Sequence, residues 1–252
     1  MSLRNSTGII LKVVDFGESD KIITLYCAKE GKFTCIAKGA KRSTKRFMNK
    51  LELFTLLDFQ YNSRYSLPTL DQADLLDSFP ELRKNFLRYA VAGLICELML
   101  QWTHENDGDE QIFSALTHTF FELNHLRQSK KILVLFLVYL YSRLGYQPDF
   151  SHCRKCGELE NSVGNFYFMP QQSAIFCKTC GSLTSRSVVL SLATVKLLGQ
   201  AQRMPFLKTS RLQFSSQSIR QSLALYKEYG NFLLDREIVS WAFVDKGEEQ
   251  NN

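Results

Sequence analysis

No run of apolar residues in this sequence of 252 reaches the roughly 18 to 20 that a membrane span requires. The longest, Ile132 to Leu140, is half that length and fits a buried helix. The start, Met1-Ser2-Leu3-Arg4-Asn5-Ser6, has no apolar targeting core and no small-residue cleavage site. A cytoplasmic protein without membrane contact is expected. There is no Gly-x-x-x-x-Gly-Lys-Ser/Thr phosphate loop, no Gly-x-Ser-x-Gly and no His-Glu-x-x-His. The four histidines, His104, His118, His125 and His152, are scattered, and the carboxylates show no paired pattern. No catalytic residue is nominated, and neither an enzyme nor a small-molecule substrate is expected. Internal repeats and low-complexity tracts are also missing. The cysteine count is seven, and an odd number argues against a fully paired disulfide framework. In a reducing cytoplasm, clustered cysteines more often bind metal.

What is present begins with charge. The formal net charge is +6, which favours polyanionic partners, although a solubility margin explains it equally well. Residues 1 to 78 read as five short strands. Ile9 to Val14 is a β-branched run after Gly8, and Lys21 to Cys27 is another. Lys32 to Ala37 follows the turn Lys29-Glu30-Gly31, where glycine supplies a positive φ. Leu51 to Tyr61 and Leu67 to Leu75 complete a set expected to close as a small Greek-key barrel. The character changes at Ser78-Phe79-Pro80-Glu81, a helix-start signal. Helical spacing then predicts helices over residues 82–103, 110–126, 129–145, 191–202 and 216–235. In the last, Ile219, Leu223, Tyr226, Phe232 and Leu233 form a stripe expected to pack in a core. Lys246 to Asn252 is polar and expected to be disordered. The fold class is α+β. A barrel domain spans residues 1–78 and a helical domain spans 79–252, with a cysteine-rich insertion at about 149–186.

The most specific signal is two matching knuckles, Cys153-Arg154-Lys155-Cys156-Gly157 and Cys177-Lys178-Thr179-Cys180-Gly181. Two cysteines three apart on a tight turn reach one ion, and two such turns satisfy tetrahedral zinc. The glycine after each second cysteine lets the backbone turn so that amides point at sulfur. Phe166-Tyr167-Phe168 and Ile175-Phe176 read as a hairpin returning the second knuckle to the first. Cys153, Cys156, Cys177 and Cys180 are therefore the expected ligands of a structural Zn2+. Four sulfurs leave no open position for water, so the metal holds the fold. His152 is the alternative fourth ligand. A thioredoxin-like site lacks its βαβ setting, and a deaminase site lacks its His-x-Glu and Pro-Cys-x-x-Cys. Cys27, Cys35 and Cys96 sit in apolar context and read as core residues.

A second constellation is cationic. Residues 38–50 hold Lys38, Lys41, Arg42, Lys45, Arg46 and Lys50 with no acid. The segment lies between two predicted strands and reads as an exposed barrel loop suited to a phosphate backbone. Gly39 permits close approach of main chain to phosphate. Phe47 and nearby barrel aromatics can stack on bases, although a core explains Phe47 as well. A solvated loop is the competing reading. Lys130 and Lys131 open a predicted helix where the macrodipole disfavours cations, which suits an external anion or a misplaced helix start. Arg154, Lys155 and Lys178 either extend a basic surface or offset four thiolates.

Taken together the motifs resemble the RecO family. Thr7-Gly8-Ile9-Ile10-Leu11 with Gly17-Glu18-Ser19-Asp20-Lys21 resembles its first strands, and Lys38-Gly39-Ala40-Lys41-Arg42 its basic stretch. Leu70-Asp71-Gln72-Ala73-Asp74 with Phe79 and Leu82 resembles its barrel-to-helix junction. Leu144-Gly145-Tyr146-Gln147-Pro148 leading to Cys153 resembles its approach to the zinc motif. The likeness spans roughly residues 7–235. It implies an N-terminal OB-fold, a helical domain and an inserted zinc ribbon. It also implies binding to single- and double-stranded DNA, annealing of complementary strands, and a nucleoid-associated bacterial protein. The implied partners are RecR and the C-terminal tail of single-strand binding protein, with which the family helps RecA load on gaps in recombinational repair. The implied metal ligands are the same four cysteines, and the implied DNA contacts are Lys38, Lys41 and Arg42. Two departures stand out. Gln172-Ser173-Ala174 replaces a Gly pair before the second knuckle, and Lys38 and Lys41 stand where the family usually has the bidentate Arg.

Three other functions compete. An RNA-binding zinc-ribbon protein shares the salt-sensitive binding. A structural adaptor predicts no nucleic-acid affinity. A zinc enzyme predicts an open metal position.

Overall fold

The computed structural model describes residues 3–64, 66–159, 164–182 and 186–247. These fall into two compact units. One takes the residues up to Arg127 together with those from Phe243 on, and the other is Gln128–Ala242. The expected boundary at 78/79 lies inside the first unit.

Five strands form the barrel: β1 Leu3–Phe16, β2 Asp20–Cys27, β3 Gly31–Ala37, β4 Leu56–Asn62 and β5 Thr69–Asp77. They close in the order β1-β2-β3-β5-β4, with β4 returning to pair β1. Only the β3–β5 seam is parallel, through Ile36 and Thr69. Alternation makes the interior. Phe33, Cys35 and Ala37 of β3 and Leu57, Phe59 and Tyr61 of β4 point in. The rings of Phe33, Phe59 and Tyr61 meet with centroids 4.5–5.8 Å apart. Gly8 has a steric reason to be glycine, since a Cβ there would sit 2.7 Å from the Cys27 Sγ. Gly31 takes the expected positive φ of 67° at the β2–β3 turn. That turn holds the loop after the second helix, through Lys32 N–H to His104 O at 3.0 Å and Asn106 N–H to Glu30 O at 2.9 Å.

Several boundaries differ from the sequence reading: β1 extends on both sides of the expected Ile9–Val14, and β5 is shifted two residues beyond Leu67–Leu75. The predicted strand from Leu51 begins only at Leu56, because Phe54 adopts φ 71° and turns its amide to Ile10 O. The first predicted helix is broken into α1 Glu81–Lys84 and α2 Phe86–Trp102. Asn85 is extended, and its side chain accepts from Arg88 N–H as the cap of α2. α3 Glu110–His125 is capped by Asp109, which accepts from Gln111 and Ile112 N–H.

In the second unit α4 Ser129–Arg143 starts where expected and is buried along most of its length. It packs with α5 Leu192–Arg203 and α6 Ser216–Leu234. The buried face of α6 is rotated from the predicted stripe. Ser222, Leu225, Tyr226 and Tyr229 are inside, while Ile219, Leu223, Phe232 and Leu233 are half-buried. The reason is close approach at Gly230, where a Cβ would lie 2.4 Å from the Tyr141 hydroxyl. Tyr141 therefore packs on Tyr226 and Tyr229 at 5.0 and 5.6 Å. The cysteine region forms a three-stranded sheet, β7-β6-β8, from β6 Asn165–Met169, β7 Ala174–Cys177 and β8 Val188–Ser191. β8 and the C-terminal helix α7 Trp241–Lys246 were not anticipated. No helix among the described residues is long and apolar enough to cross a membrane. The tail expected to be disordered lies outside the described residues from 248 on.

Candidate metal centre and cationic loop

The ribbon is built from its hairpin outward. Phe166 pairs with Cys177 across β6 and β7, which delivers the second knuckle from the end of β7. Arg154 N–H donates to Ile175 O at 3.0 Å and stitches the first knuckle to the same strand. The turn between β6 and β7 has no glycine, and Ser173 takes the left-handed position at φ 49°. That conformation costs about 1–2 kcal/mol. It is offset by Ser173 N–H to Pro170 O, by Asp149 N–H to Ser173 O, and by the 2.7 Å contact of its hydroxyl with Tyr229. Ser173 thus supplies what a Gly pair would supply.

Both knuckles close with the same backbone bonds. Gly157 N–H donates to Cys153 O and Gly181 N–H to Cys177 O, each at 2.8 Å. The two glycines serve different needs. Gly157 has φ 78° with open space around it. Gly181 lacks a positive φ, but a Cβ there would lie 2.8 Å from Phe176 Cβ and 3.1 Å from the Tyr167 ring.

The four sulfurs of Cys153, Cys156, Cys177 and Cys180 all lie within 4.8 Å of one another. Cys156 and Cys177 are 3.8 Å apart. Zinc–sulfur bonds of about 2.3 Å at tetrahedral angles place sulfurs about 3.8 Å apart, so the donor set fits such an ion. Cys177 N–H donates to Cys153 Sγ at 3.3 Å. Burial alone pushes the Cys153 thiol up. The backbone amides of Cys156, Cys177 and Lys155 outweigh it and bring the group down to about 6, ready to ligate as thiolate. Hydrogen bonds with Cys177 and Cys156 push Cys180 up to about 12. Four thiolates at this spacing repel one another, and a dication between them removes the conflict. His152 is outside the set, with its Nδ1 2.7 Å from the Ser151 hydroxyl. The site is asymmetric, since Cys153 and Cys177 are buried and Cys156 is exposed. Cys27, Cys35 and Cys96 are buried, and desolvation raises their thiols well above the usual range.

The cationic loop follows β3. Gly39 takes φ 68°, and its N–H donates to Asp20 Oδ1 at 2.8 Å. This bond, then the Ser19 hydroxyl, then Lys38 and Lys41, hold the Asp20 carboxyl below its usual range. The loop thus lies along the β1–β2 turn, and Lys41 N–H reaches Ser19 O. The acids the segment lacks come from elsewhere. Lys41 Nζ is 3.2 Å from Asp15, Arg42 is 3.7 Å from Glu18, and Lys50 is 3.4 Å from Asp74. Lys41 and Lys50 also donate to the carbonyls of Gly17 and Ala73. Arg46 donates to the carbonyls of Lys38 and Asp71 and lies over the Phe47 ring. Lys38, Lys41, Arg42, Lys45 and Arg46 are exposed, and Lys50 is half-buried.

Two expectations are corrected here. Phe47 is 3 % exposed and belongs to the barrel core with Phe33, Phe59 and Tyr61, so none of these rings is presented to a base. Lys131 is buried and donates to Ser210 O at 2.8 Å, which removes it from the candidate DNA contacts. That carbonyl answers the puzzle of a lysine at a helix start. Lys130 beside it is half-buried. The sequence reading missed Phe16, which is 52 % exposed at the end of β1, next to the turn that carries the loop. A lone aromatic at a strand end carries no pattern to find it by.

A closed five-stranded barrel, helices and a four-sulfur ribbon define an α+β protein with an OB-fold at its N-terminus. The chain belongs to the RecO family: the Recombination protein O N-terminal model matches residues 1–79 and the C-terminal model residues 83–242. A DNA repair protein RecO of Syntrophobacter fumaroxidans is 30% identical over 214 residues, covering 85% of this chain and 86% of its own. One from Syntrophotalea carbinolica is 30% identical over 245 residues, covering 96% and 94%. One from Symbiobacterium thermophilum is 32% identical over 202 residues, covering 79% of each.

Proposed function

We propose that this chain is a non-enzymatic mediator of recombinational DNA repair that binds DNA and anneals complementary strands. It works with RecR and the acidic tail of single-strand binding protein to let RecA load on coated gaps, in the cytoplasm at the nucleoid. The observation that carries the DNA reading is the loop of residues 38–50. It is pinned by Asp20 to the β1–β2 turn, leaves Arg42 and Lys45 exposed, and shares that turn with the exposed Phe16 at the end of β1. Cations that track a backbone with an aromatic ring alongside are what single strands are bound by. Lys38, Gly39, Lys41, Arg46 and Lys50 shape the loop and add to its field, and Lys130 remains a further candidate contact. The four cysteines hold structural Zn2+, whose binding energy is folding energy for the ribbon. The metal supplies cross-linking. The barrel 1–78 is the DNA-binding domain, and 79–252 is the helical domain with its zinc insertion.

The test is binding of labelled single-stranded DNA across a salt series, wild type against Arg42→Glu/Lys45→Glu. Each phosphate neutralised contributes about −0.7 to the slope of log K against log salt. The double variant is expected to flatten the slope by more than 1 while its thermal midpoint holds. Equal slopes would reduce the loop to a solvated surface. Annealing of complementary oligonucleotides by the wild type separates this reading from an RNA-binding protein.

A further inference from the structure

The positive charge of this chain is unevenly placed. Gln128–Ala242 contains fourteen Lys and Arg against six Asp and Glu, a net +8. The remaining residues contain seventeen against nineteen, a net −2, which together give the +6 of the whole. A zinc ion with four thiolates would lower the first figure by only two. The barrel unit is therefore slightly acidic, and three of its six loop cations face acids.

Two of the concave surfaces contrast in the same sense, while a third, in the second unit, is lined by Glu228, Asp235 and Glu237 with Arg186 and Arg236. The barrel has a cleft of about 490 Å3 lined by Asp58 and Asp74 with Lys29 as its one cation. The ribbon unit has a cleft of about 440 Å3 between α5 and the approach to the first knuckle. Lys196, Gln200 and Arg203 form one wall and Phe150, Ser151 and Leu159 the other; among the described residues no carboxylate lines the cleft, and the nearest named one, Asp149, accepts from Ser151. Lys196, Gln200 and Arg203 recur at i, i+4 and i+7 and make the exposed stripe of the helix. At 1.5 Å per residue the two cations are about 10 Å apart along the axis. Gly199 lies on the floor between the walls. A Cβ there would be 3.7 Å from Phe150 Cβ and 3.8 Å from Arg203 Nη1, so the guanidinium and Phe150 both approach this point of the helix. From Ser151 the same wall runs directly into the exposed Arg154 and Lys155.

We propose that this α5–knuckle cleft is a second nucleic-acid surface, taking the sugar–phosphate backbone of a single strand. Arg203 grips one phosphate with its planar fork, Lys196 holds another as a point charge, and Gln200 donates between them. Phe150 and Leu159 give the sugar an apolar wall. Two cations about two helical turns apart on one wall suit a repeating anion better than a single carboxylate terminus. The inference rests on the reading of the chain as a DNA-binding protein and adds a surface to it.

The experiment is single-stranded DNA binding by the full chain in a salt series. It compares wild type, Lys196→Glu/Arg203→Glu, the neutral Lys196→Gln/Arg203→Gln, and the barrel variant Arg42→Glu/Lys45→Glu. Two lost contacts at about −0.7 each flatten the slope by about 1.4 and weaken binding on the order of 25-fold at 0.1 M salt. The inference expects that loss in both α5 variants, with far-UV circular dichroism and thermal midpoint held, since both side chains lie on an exposed helical stripe. Retained affinity and slope in the α5 variants, with loss in the barrel variant, overturns the inference and leaves the barrel reading standing. A wild type that does not bind overturns both. Loss of poly-glutamate binding with DNA binding intact also overturns it, and assigns the cleft to an acidic protein segment.

Discussion

The ribbon takes its four sulfurs from the 28 residues between Cys153 and Cys180, whereas the cationic loop meets its acids from Asp15, Glu18 and Asp74, all outside it. The difference is one of closure. Ligand number, spacing and turn glycines complete a metal site within one segment. A run of cations acquires its meaning only from what the fold sets against it. In the ribbon the structure turns a motif into a centre with sulfurs within 4.8 Å. In the barrel five of the six cations are exposed, but Lys41, Arg42 and Lys50 face acids, Arg46 is held by main-chain carbonyls, and Lys38 carries an interaction of its own.

The largest expected effect lies at the ribbon. Cys153→Ser removes a buried sulfur that backbone amides hold as thiolate. It should lose the metal and with it most of the roughly 10 kcal/mol or more that structural zinc contributes to small domains. Cys156→Ser, at an exposed sulfur, leaves three thiolates and a position water can take, and should lower metal affinity without abolishing it. Bound zinc by mass spectrometry and the thermal midpoint, with and without chelator, read both. If Cys153→Ser keeps its zinc and its midpoint, the site is not a structural centre.

Within the ribbon the knuckle glycines should respond differently. Gly181→Ala forces a Cβ against Phe176 and Tyr167 and should cost about 1–3 kcal/mol. Gly157→Ala meets open space but must hold a positive φ, at about 1–2 kcal/mol. Asparagine, which tolerates the left-handed region, should largely restore position 157 and not position 181. Equal recovery at both would mean that crowding at Gly181 has been misjudged.

In the barrel the same logic separates cations by partner. Lys50→Ala removes the bonds to Ala73 O and Asp74 and should lower stability by up to about 1 kcal/mol, with the DNA salt slope unchanged. Lys45→Ala should do the reverse, leaving the midpoint and flattening the slope by about 0.7. A Lys50 variant that flattens the slope as much as the Lys45 variant would erase the distinction.

Legibility followed the range of the forces involved. Strand alternation, the helix starts at Glu110 and Ser129 and the two cysteine turns are local, and they were readable. The break at Asn85 was not, because an asparagine cap competes with an apolar period that runs through it unbroken. The face of α6 was misread because it is set by Gly230 meeting Tyr141, a contact between residues 89 positions apart. The turn at Ser173 looked deficient without glycine, since its compensation comes from Tyr229 and Asp149. Lys131 read as a surface cation because Ser210, its acceptor, is invisible to periodicity. The charge imbalance was present in the composition all along, but it needed the division at Gln128 before it could be counted.

The smallest effect concerns how the loop is held. Asp20 accepts from Gly39 N–H and Ser19, and its folded pKa is depressed from the ordinary 3.8. A depressed carboxylate stabilises the folded state above its unfolded pKa, and that contribution is lost as pH falls through the folded value. Between pH 5 and 8 the anchor is therefore constant, and DNA affinity should carry no pH dependence from it. Below the ordinary carboxylate range the loop should loosen ahead of the barrel, while the ribbon gives up its metal independently as protons compete for its thiolates. The Gly39 amide resonance reports this directly. It should titrate with a midpoint below 3.8 in the wild type and not at all in Asp20→Asn. A midpoint at or above 3.8 would mean that the loop's own cations, rather than this carboxylate, set its path along the β1–β2 turn.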